Sequence, residues 1–494
     1  MRGFISFVMF VTVLSATTVG LDAVLIKVEV DVASRGFPKF NIVGLPSKSV
    51  DEAKERVRTT IINSSFQMPD SRITVNLAPA DIPKVGSGFD LPIAIGILAA
   101  NGAVNRESLK NNIFVGELSL TGDLRPVPGI ISVAHLARQK KGGLFIPVAS
   151  SHEASMVSGI DIYPARNITD LILHLNNEKK ISSCPLIPFE NLRHGQQSKF
   201  LFEDVKGQEA AKRALTIAAA GFHNVHLKGP PGAGKTLLLR AFPSILPPME
   251  KSEMVEVAKI YSICGLMKNQ FFLSSRPFRN PHHTISRIGL VGGGSHPTPG
   301  EISLSHRGVL FLDEFPEFSH ATLEALRQPM EDGEIIISRA EGSLNFPCRF
   351  ILLAASNACP CGFLGHPKKP CVCPPGAIFK YKKRLSGPLL DRIDINVDVA
   401  PVEEEKLTGN FATETSETIR KIVTRAYLRR KERPKIATTP EAANLLKQAI
   451  NKLSLSARAY FKTIKIARTI ADLANEDKIE VSHVAEALQF RAID

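Results

Sequence analysis

Two short segments carry the residue types that handle phosphate. Gly229-Pro230-Pro231-Gly232-Ala233-Gly234-Lys235-Thr236 fits the pattern G-x-x-x-x-G-K-[ST]. Glycines let backbone N–H groups curl around phosphate oxygens, and a helix start behind them adds partial positive charge. In that pattern Lys235 reaches the β- and γ-phosphates, and the Thr236 hydroxyl helps hold Mg²⁺. Further along, Gly308–Glu314 is an apolar run ending in two carboxylates. Asp313 suits the Mg²⁺ shell, and Glu314 suits orienting and deprotonating an attacking water. A third apolar run, Phe350–Ala354, leads to Ser356 and Asn357, where a polar side chain can touch the γ-phosphate or the water. Arg392 follows an apolar turn within Arg384–Asp394. Alone it reads as a surface ion pair with Asp391 or Asp394. With the rest it reads as a finger completing a neighbouring copy's site. The chemistry expected is ATP hydrolysis with Mg²⁺.

A second cluster is made of sulfur. Cys359-Pro360-Cys361 and Cys371-Val372-Cys373 form two Cys-x-Cys pairs, with Gly362, Gly365 and Pro370 between them. Four thiolates in one loop suit a tetrahedral Zn²⁺ site. A redox pair and four reduced core thiols are the alternatives. Cys184, Cys264 and Cys348 are scattered and read as buried or inert. The Cys-rich stretch is also basic: Lys368, Lys369, Lys380, Lys382, Lys383 and Arg384 occur with no acidic residue among them. Such a patch holds a phosphate backbone without reading sequence. Arg425, Arg429, Arg430, Lys431, Arg433 and Lys435 make a second basic run, which reads first as a solvated helix face. His282-His283, between Arg279 and Arg287, could line a channel, though a His pair is more often structural.

These residues need a scaffold. Asn224–Lys228 before the glycine loop reads as a strand, and Leu237–Phe242 after it as an apolar helix. Upstream, Ile26, Val28 and Val30 alternate with Lys27, Glu29 and Asp31, a half-buried strand. Ser47 can cap a helix running to Asn63, with Val50, Ala53, Val57 and Ile61 on one face. Ile73–Leu77 is another strand, and Leu91–Ala100 an apolar helix. The expected domains are 1–176, a polar linker at 177–201, a P-loop core at 202–402 with a Cys-rich insertion at 357–384, and a helical lid at 403–494. At roughly 150 residues per domain, 494 residues leave room for about three.

Composition bounds the function. Hydrophobic residues make up 44% and charged residues 22%, which excludes a disordered or collagen-like chain. Seven Cys are too few for a disulfide scaffold. Lys plus Arg number 61 against 48 Asp plus Glu, a net charge of +13 that points to a polyanion, nucleic acid first. Aromatics at 6% with no Trp argue against a base-stacking platform. The N-terminus has a signal-peptide look, with Arg2, the apolar run Phe4–Leu14 and then Ser15-Ala16-Thr17. The favoured alternative is that Val11 onward opens the first strand. The run is short for a membrane span, so no stable membrane association is expected. The Cys pattern and ATP chemistry place the protein in the cytoplasm.

The phosphate elements together resemble the AAA+ ATPases of the magnesium-chelatase-like type, and the ComM/YifB family more closely than the chelatase motor. Phe40–Pro46, Gly86–Pro92, Arg279–Thr284, Gly292–Ser295, Pro299–Leu304 and Ala467–Leu473 carry that likeness, which covers nearly the whole chain. It implies a multidomain α/β and α+β fold: a Lon-protease-like (S5-type) N-terminal domain, an AAA+ P-loop core and a small helical lid. It implies a homo-oligomeric ring, a hexamer, with ATP between subunits and Arg392 acting in trans. Arg458 resembles the lid arginine that senses the γ-phosphate, with Arg468 as runner-up. Val205–Gln208 resembles the segment near adenine. Family members are DNA motors that drive branch migration in natural transformation. The competing readings are a motor for metal insertion into a tetrapyrrole and a protein-remodelling chaperone.

Pro83–Gly88 resembles the active-site loop of Lon-type proteases, and the likeness extends from Gly116 to Pro147. A protease of that kind needs a serine nucleophile and a lysine base. The register puts Gly88 where the nucleophile belongs, with Ser87 one residue off. The lysine-bearing stretch falls on Gly129–Val133, which has none. A one-residue slip misplaces the attacking oxygen, so the domain is expected to lack the Ser-Lys dyad and peptidase chemistry.

Overall fold

The computed structural model describes residues 10–34, 37–185, 199–267, 275–294, 297–339, 342–366, 368–402, 414–433, 437–453 and 456–491. The chain divides into two compact units. One comprises residues 1–192 with 258–270, the other 193–257 with 271–494. Most of the expected linker, residues 186–198, lies outside the described residues, as do Met1–Met9, Leu455, Lys435 and Ser295. Among the described residues no helix is long and apolar enough to cross a membrane.

The first unit is a sheet with helices. Its strands are β1 (Phe10–Val19), β2 (Asp22–Val32), β3 (Lys39–Val43), β4 (Arg72–Ala78), β5 (Ile113–Phe114), β8 (Leu144–Pro147) and β9 (Ile162–Ala165), in the order β3-β4-β2-β1-β5-β8-β9. Between β5 and β8 the chain forms a small hairpin, β6 (Glu117–Leu118) and β7 (Leu124–Arg125). The alternation of Ile26, Val28 and Val30 does what the period-two pattern requires: all three are fully buried. Val11 and Val13 are buried beside them on β1, which pairs antiparallel with β2, so the apolar run from residue 10 onward is a strand. The Asp90–Ala100 helix is buried all round. A Cβ on its Gly96 would come within 2.5 Å of Val30 Cγ2, so only glycine allows this closeness of helix and sheet. The helix after Ser47 is two pieces, Lys48–Asp51 and Ala53–Asn63, and Val50, Ala53, Val57 and Ile61 face inward as the spacing predicts.

The second unit is built on five parallel strands: β10 (Val225–Lys228), β11 (Phe278–Arg279), β14 (Val309–Leu312), β17 (Ile351–Ser356) and β18 (Ile395–Asp398). Their order is β11-β14-β17-β10-β18. The intervening β12 (Gly292–Gly293) and β13 (Thr298–Pro299) pair with each other, as do β15 (Glu334–Arg339) and β16 (Gly342–Pro347). β14 and β17 are buried at every position, which is how a strand covered on both faces reads in sequence. The C-terminal helices Ser416–Glu432, Pro440–Leu453, Ala457–Ala474 and Val481–Gln489 share one hydrophobic cluster with this sheet and with the Glu209–Gly221 helix.

Candidate active site

Strand order decides what meets at the carboxyl edge of the second sheet. β10 ends at Lys228, and the chain runs through the glycine loop into the Lys235–Ala241 helix. β17 lies between β10 and β14, so the residues after all three strands converge there. In open parallel sheets, ligands bind at such carboxyl edges where neighbouring connections diverge.

Lys235 is buried. Its ammonium has three donors and all are used: Nζ donates to the carbonyls of Gly229 and Pro230 at 2.8 Å each and to Asn357 Oδ1 at 3.2 Å. Burial lowers its pKa and the Asp313 charge opposes that. The Thr236 hydroxyl donates to Asp313 Oδ2 at 2.9 Å, while Asp313 Oδ1 accepts the Glu314 N–H at 3.0 Å. Hydroxyl and carboxylate oxygens together are a hard donor set that suits Mg²⁺. Gly232 and Gly234 have φ of +78° and +84°, and a Cβ built on either would meet nothing within 4 Å. Both glycines thus border open space, which leaves this stretch of loop backbone uncovered by side chains. Gln208, in the segment expected near adenine, donates to the carbonyls of Ala233 (3.1 Å) and Ala400 (2.6 Å), tying that segment to the loop.

Glu314 takes a left-handed backbone, φ 50°, and its side chain is exposed. Its Oε2 lies 3.2 Å from His283 Nδ1, and the His283 ring lies tilted against His282 with centroids 4.1 Å apart. The sequence suggested the His282-His283 pair as a channel lining and did not connect His283 with Glu314. The available signal was topological: β11 runs parallel to β14, so the residues after Arg279 and those after Leu312 emerge at the same edge.

The two arginines sit elsewhere. Arg392 precedes β18, at the amino edge of the sheet. Asn224, just before β10, binds that edge together: its Nδ2 donates to the Arg392 carbonyl (3.1 Å), and its Oδ1 accepts the Leu352 N–H (2.8 Å). Arg392 Nη2 lies 2.6 Å from Glu331 Oε2, and Arg458 pairs with the other oxygen of the same carboxylate. Hydrogen bonds from Arg392 and then Arg458 hold the Glu331 carboxyl below its usual range. Arg392 is thus ion-paired to Glu331, not to Asp391 or Asp394. β10 has four residues, so about 13 Å of strand separates this edge from the glycine loop. A cavity of about 880 Å³ on this side is lined by Arg392, Arg458, Glu331, Arg430, Lys462 and Lys465, among others. The runner-up, Arg468, pairs with Asp472 and donates to the Arg430 and Arg433 carbonyls.

The sulfur cluster forms as the spacing predicts. Cys359, Cys361, Cys371 and Cys373 are free thiols, all four sulfurs within 4.8 Å of one another. The neighbouring Lys368, Lys369, Lys380, Lys382 and Lys383 are exposed, beside an exposed Phe379, and Arg384 pairs with Glu317 at 2.6 Å. In the second basic run Arg425, Lys431 and Arg433 lie exposed, Lys431 pairing with Glu250 at 2.5 Å and Arg433 with Asp477, while Arg429 is half-buried against Asp477 and Arg430 donates to the Gly221 carbonyl.

In the first unit Ser87 donates its hydroxyl to the Glu117 carboxylate, and Lys84, fully buried, donates to the Pro79 carbonyl. Asp90, also fully buried, takes a two-point ion pair from Arg56 at 2.9 and 3.0 Å. Burial raises the Asp90 pKa while Arg56 opposes it.

Comparison with known proteins bears on both units. Residues 201–407 match the family described as magnesium chelatase, subunit ChlI; residues 28–150 match subunit ChlI of Mg-chelatase; residues 413–491 match the ChlI C-terminal family. The chain is 44% identical to competence protein ComM of Haemophilus influenzae, covering 97% of each protein. It is 39% identical to the protein YifB of Salmonella typhimurium, covering 96% of each. The magnesium-chelatase 38 kDa subunit of Rhodobacter capsulatus is 26% identical over only 32% of this chain and 50% of its own length.

Proposed function

The chain belongs to the ComM/YifB family of magnesium-chelatase-like AAA+ proteins, and from that premise we propose that it is an ATP-dependent motor that moves DNA, working in the cytoplasm as a ring of identical copies, a hexamer. One observation carries the reading. Lys235, Thr236, Asp313, Glu314 and Asn357 gather at one edge of a parallel sheet, while Arg392 and Arg458 are held together at the other. A single copy cannot bring both sets to one γ-phosphate across that strand length. Adjacent copies can, with one copy's glycine loop facing the next copy's arginines.

The residues then have distinct tasks. Backbone N–H groups of Gly232 to Lys235 cradle the β-phosphate, and Lys235 exchanges its carbonyl partners for phosphate oxygens. Thr236 and Asp313 hold Mg²⁺, which when bound offsets charge on the β- and γ-phosphates. Glu314 accepts the proton of a water placed in line with the γ-phosphate, and Asn357 orients that water. Arg392 and Arg458 of the neighbouring copy meet the charge that spreads over the γ-phosphate oxygens. The four thiols hold Zn²⁺, and the lysines beside them hold the DNA backbone. The first unit is Lon-like in fold and works without peptidase chemistry, because Ser87 faces a carboxylate in place of a lysine.

The name of the Haemophilus relative, competence protein, supports DNA as the track. The partial overlap with chelatase subunits weighs against tetrapyrrole metallation. The deciding experiment measures ATP turnover and strand displacement on forked and four-way DNA. DNA-stimulated turnover with strand displacement is expected. Turnover unmoved by DNA but raised by a protein partner would replace this reading with a protein-remodelling ATPase.

A further inference from the structure

The sulfur cluster is built onto the nucleotide site. β17 ends at Ser356, Asn357 accepts from Lys235, and Cys359 follows two residues later, fully buried. The turn it opens carries Gly362, with φ +85°. A Cβ there would lie 2.6 Å from Pro231 Cδ and 3.7 Å from Asn357 Cγ. The Cys-bearing turn therefore rests directly on the outer proline of the glycine loop. The chain returns through Cys371 and Cys373 into the Pro375–Lys382 helix, whose Tyr381 is buried.

Between those limbs the described residues form no regular helix or strand until Pro375. What brings the limbs together is sulfur. Cys359 Sγ lies 3.4 Å from Cys361 Sγ and 3.6 Å from Cys371 Sγ, and Cys361 and Cys371 are 3.6 Å apart. A disulfide needs about 2.05 Å. A single tetrahedral Zn²⁺ with Zn–S bonds near 2.3 Å sets sulfur spacings of about 3.8 Å. Two backbone groups already aim at the sulfurs: Leu364 N–H donates to Cys359 Sγ and Cys361 N–H to Cys373 Sγ, both at 3.3 Å. Such N–H donors favour thiolate, the form that binds metal, over thiol.

We infer that one Zn²⁺ on Cys359, Cys361, Cys371 and Cys373 clamps Asn357 and the outer face of the glycine loop, so that metal occupancy sets nucleotide affinity. This rests on the nucleotide-site reading above. Binding releases the thiol protons to solvent and changes no oxidation state. The cluster fastens the two limbs, and Gly362, packed against Pro231 and beside Asn357, passes that fixed position to both.

The test uses the full chain, purified with zinc supplied, and two independent measurements: metal per chain by elemental mass spectrometry, and dissociation of a fluorescent ATP analogue. One zinc per chain is expected. The double variant Cys361→Ser with Cys373→Ser loses the zinc and weakens nucleotide binding by about tenfold, the usual scale for losing a supporting shell. Cys184→Ser, outside the cluster, keeps both. Gly362→Ala keeps the zinc but pushes the clamp off Pro231, and weakens nucleotide binding with metal content unchanged. Zinc-free wild-type protein, iron in its place, or zinc loss with unaltered nucleotide affinity would overturn the inference. Protein that carries zinc but binds no nucleotide at all would instead sink the ATPase reading and leave the metal site standing.

Discussion

Two loops in this molecule look alike in sequence and differ in what surrounds them. Pro83–Gly88 in the first unit and Gly229–Thr236 in the second each combine proline, glycine and a buried lysine. Burial lowers both lysine pKa values. Yet Lys84 turns to one backbone carbonyl, and Ser87 is tied to Glu117. Lys235 sits among carbonyls, an amide and a hydroxyl–carboxylate pair contributed by three strands. On the function proposed above, a buried lysine beside glycines is a packing feature in one place and a phosphate device in the other. What separates them is the convergence of partners, which strand order sets.

The sharpest way to break this contrast is to remove each lysine in turn. Lys235→Ala is expected to cut ATP turnover by about a thousandfold, the upper range for loss of one charge-stabilising group. Lys84→Ala leaves a buried carbonyl unsatisfied and is expected to cost about 1–3 kcal/mol of stability, with turnover of the folded protein unchanged. Denaturant titration and a phosphate-release assay separate the outcomes. Equal loss of turnover in both variants would dissolve the distinction.

The sheet's two edges give the next test. Arg392→Ala is expected to reduce turnover by about a thousandfold, the scale for an arginine finger. Mixing Lys235→Ala chains with Arg392→Ala chains creates some interfaces with an intact loop and an intact arginine, so activity should return in the mixture. No recovery at any mixing ratio would refute the shared pocket. Glu314→Gln should lower turnover by about a hundredfold or more while nucleotide still binds, whereas Ser87→Ala should alter neither.

How much of this could be read beforehand follows from how local each feature is. The glycine loop, the carboxylates after Leu312 and the Cys pairs are contiguous strings, and their strand–loop context is written within a few residues. The alternation at Ile26, Val28 and Val30 is equally local. Glu331 is different: nothing in its neighbourhood marks it as the acceptor for both Arg392 and Arg458, because the three meet only through folding. The same holds for residues 258–270, which belong to the first unit though the chain reaches them from within the second. The paired state of Arg429, Lys431 and Arg433 was hidden too, since their acids lie on other segments.

The first unit's own polar core sharpens the comparison from the other side. Arg56→Ala would leave the buried Asp90 carboxylate without its ion pair, and loss of one partner of a buried pair costs about 3–5 kcal/mol. Thermal unfolding should show this drop. Wild-type stability in Arg56→Ala would mean that Asp90 is satisfied by other groups.

His283 probes the gap between packing and chemistry at its narrowest. Its Nδ1 touches the Glu314 carboxylate from the loop that follows β11. One such contact has a net worth of about 1 kcal/mol, which corresponds to about fivefold in rate. His283→Ala is therefore expected to lower kcat by about fivefold with KM unchanged, because the contact orients the base and does not hold nucleotide. His283→Asn, which can still donate to the carboxylate, should recover part of the loss. A KM effect with normal kcat would place His283 in nucleotide binding. No effect on either would make the contact a resting pose, and Glu314 would then owe its orientation to the left-handed turn at its own backbone.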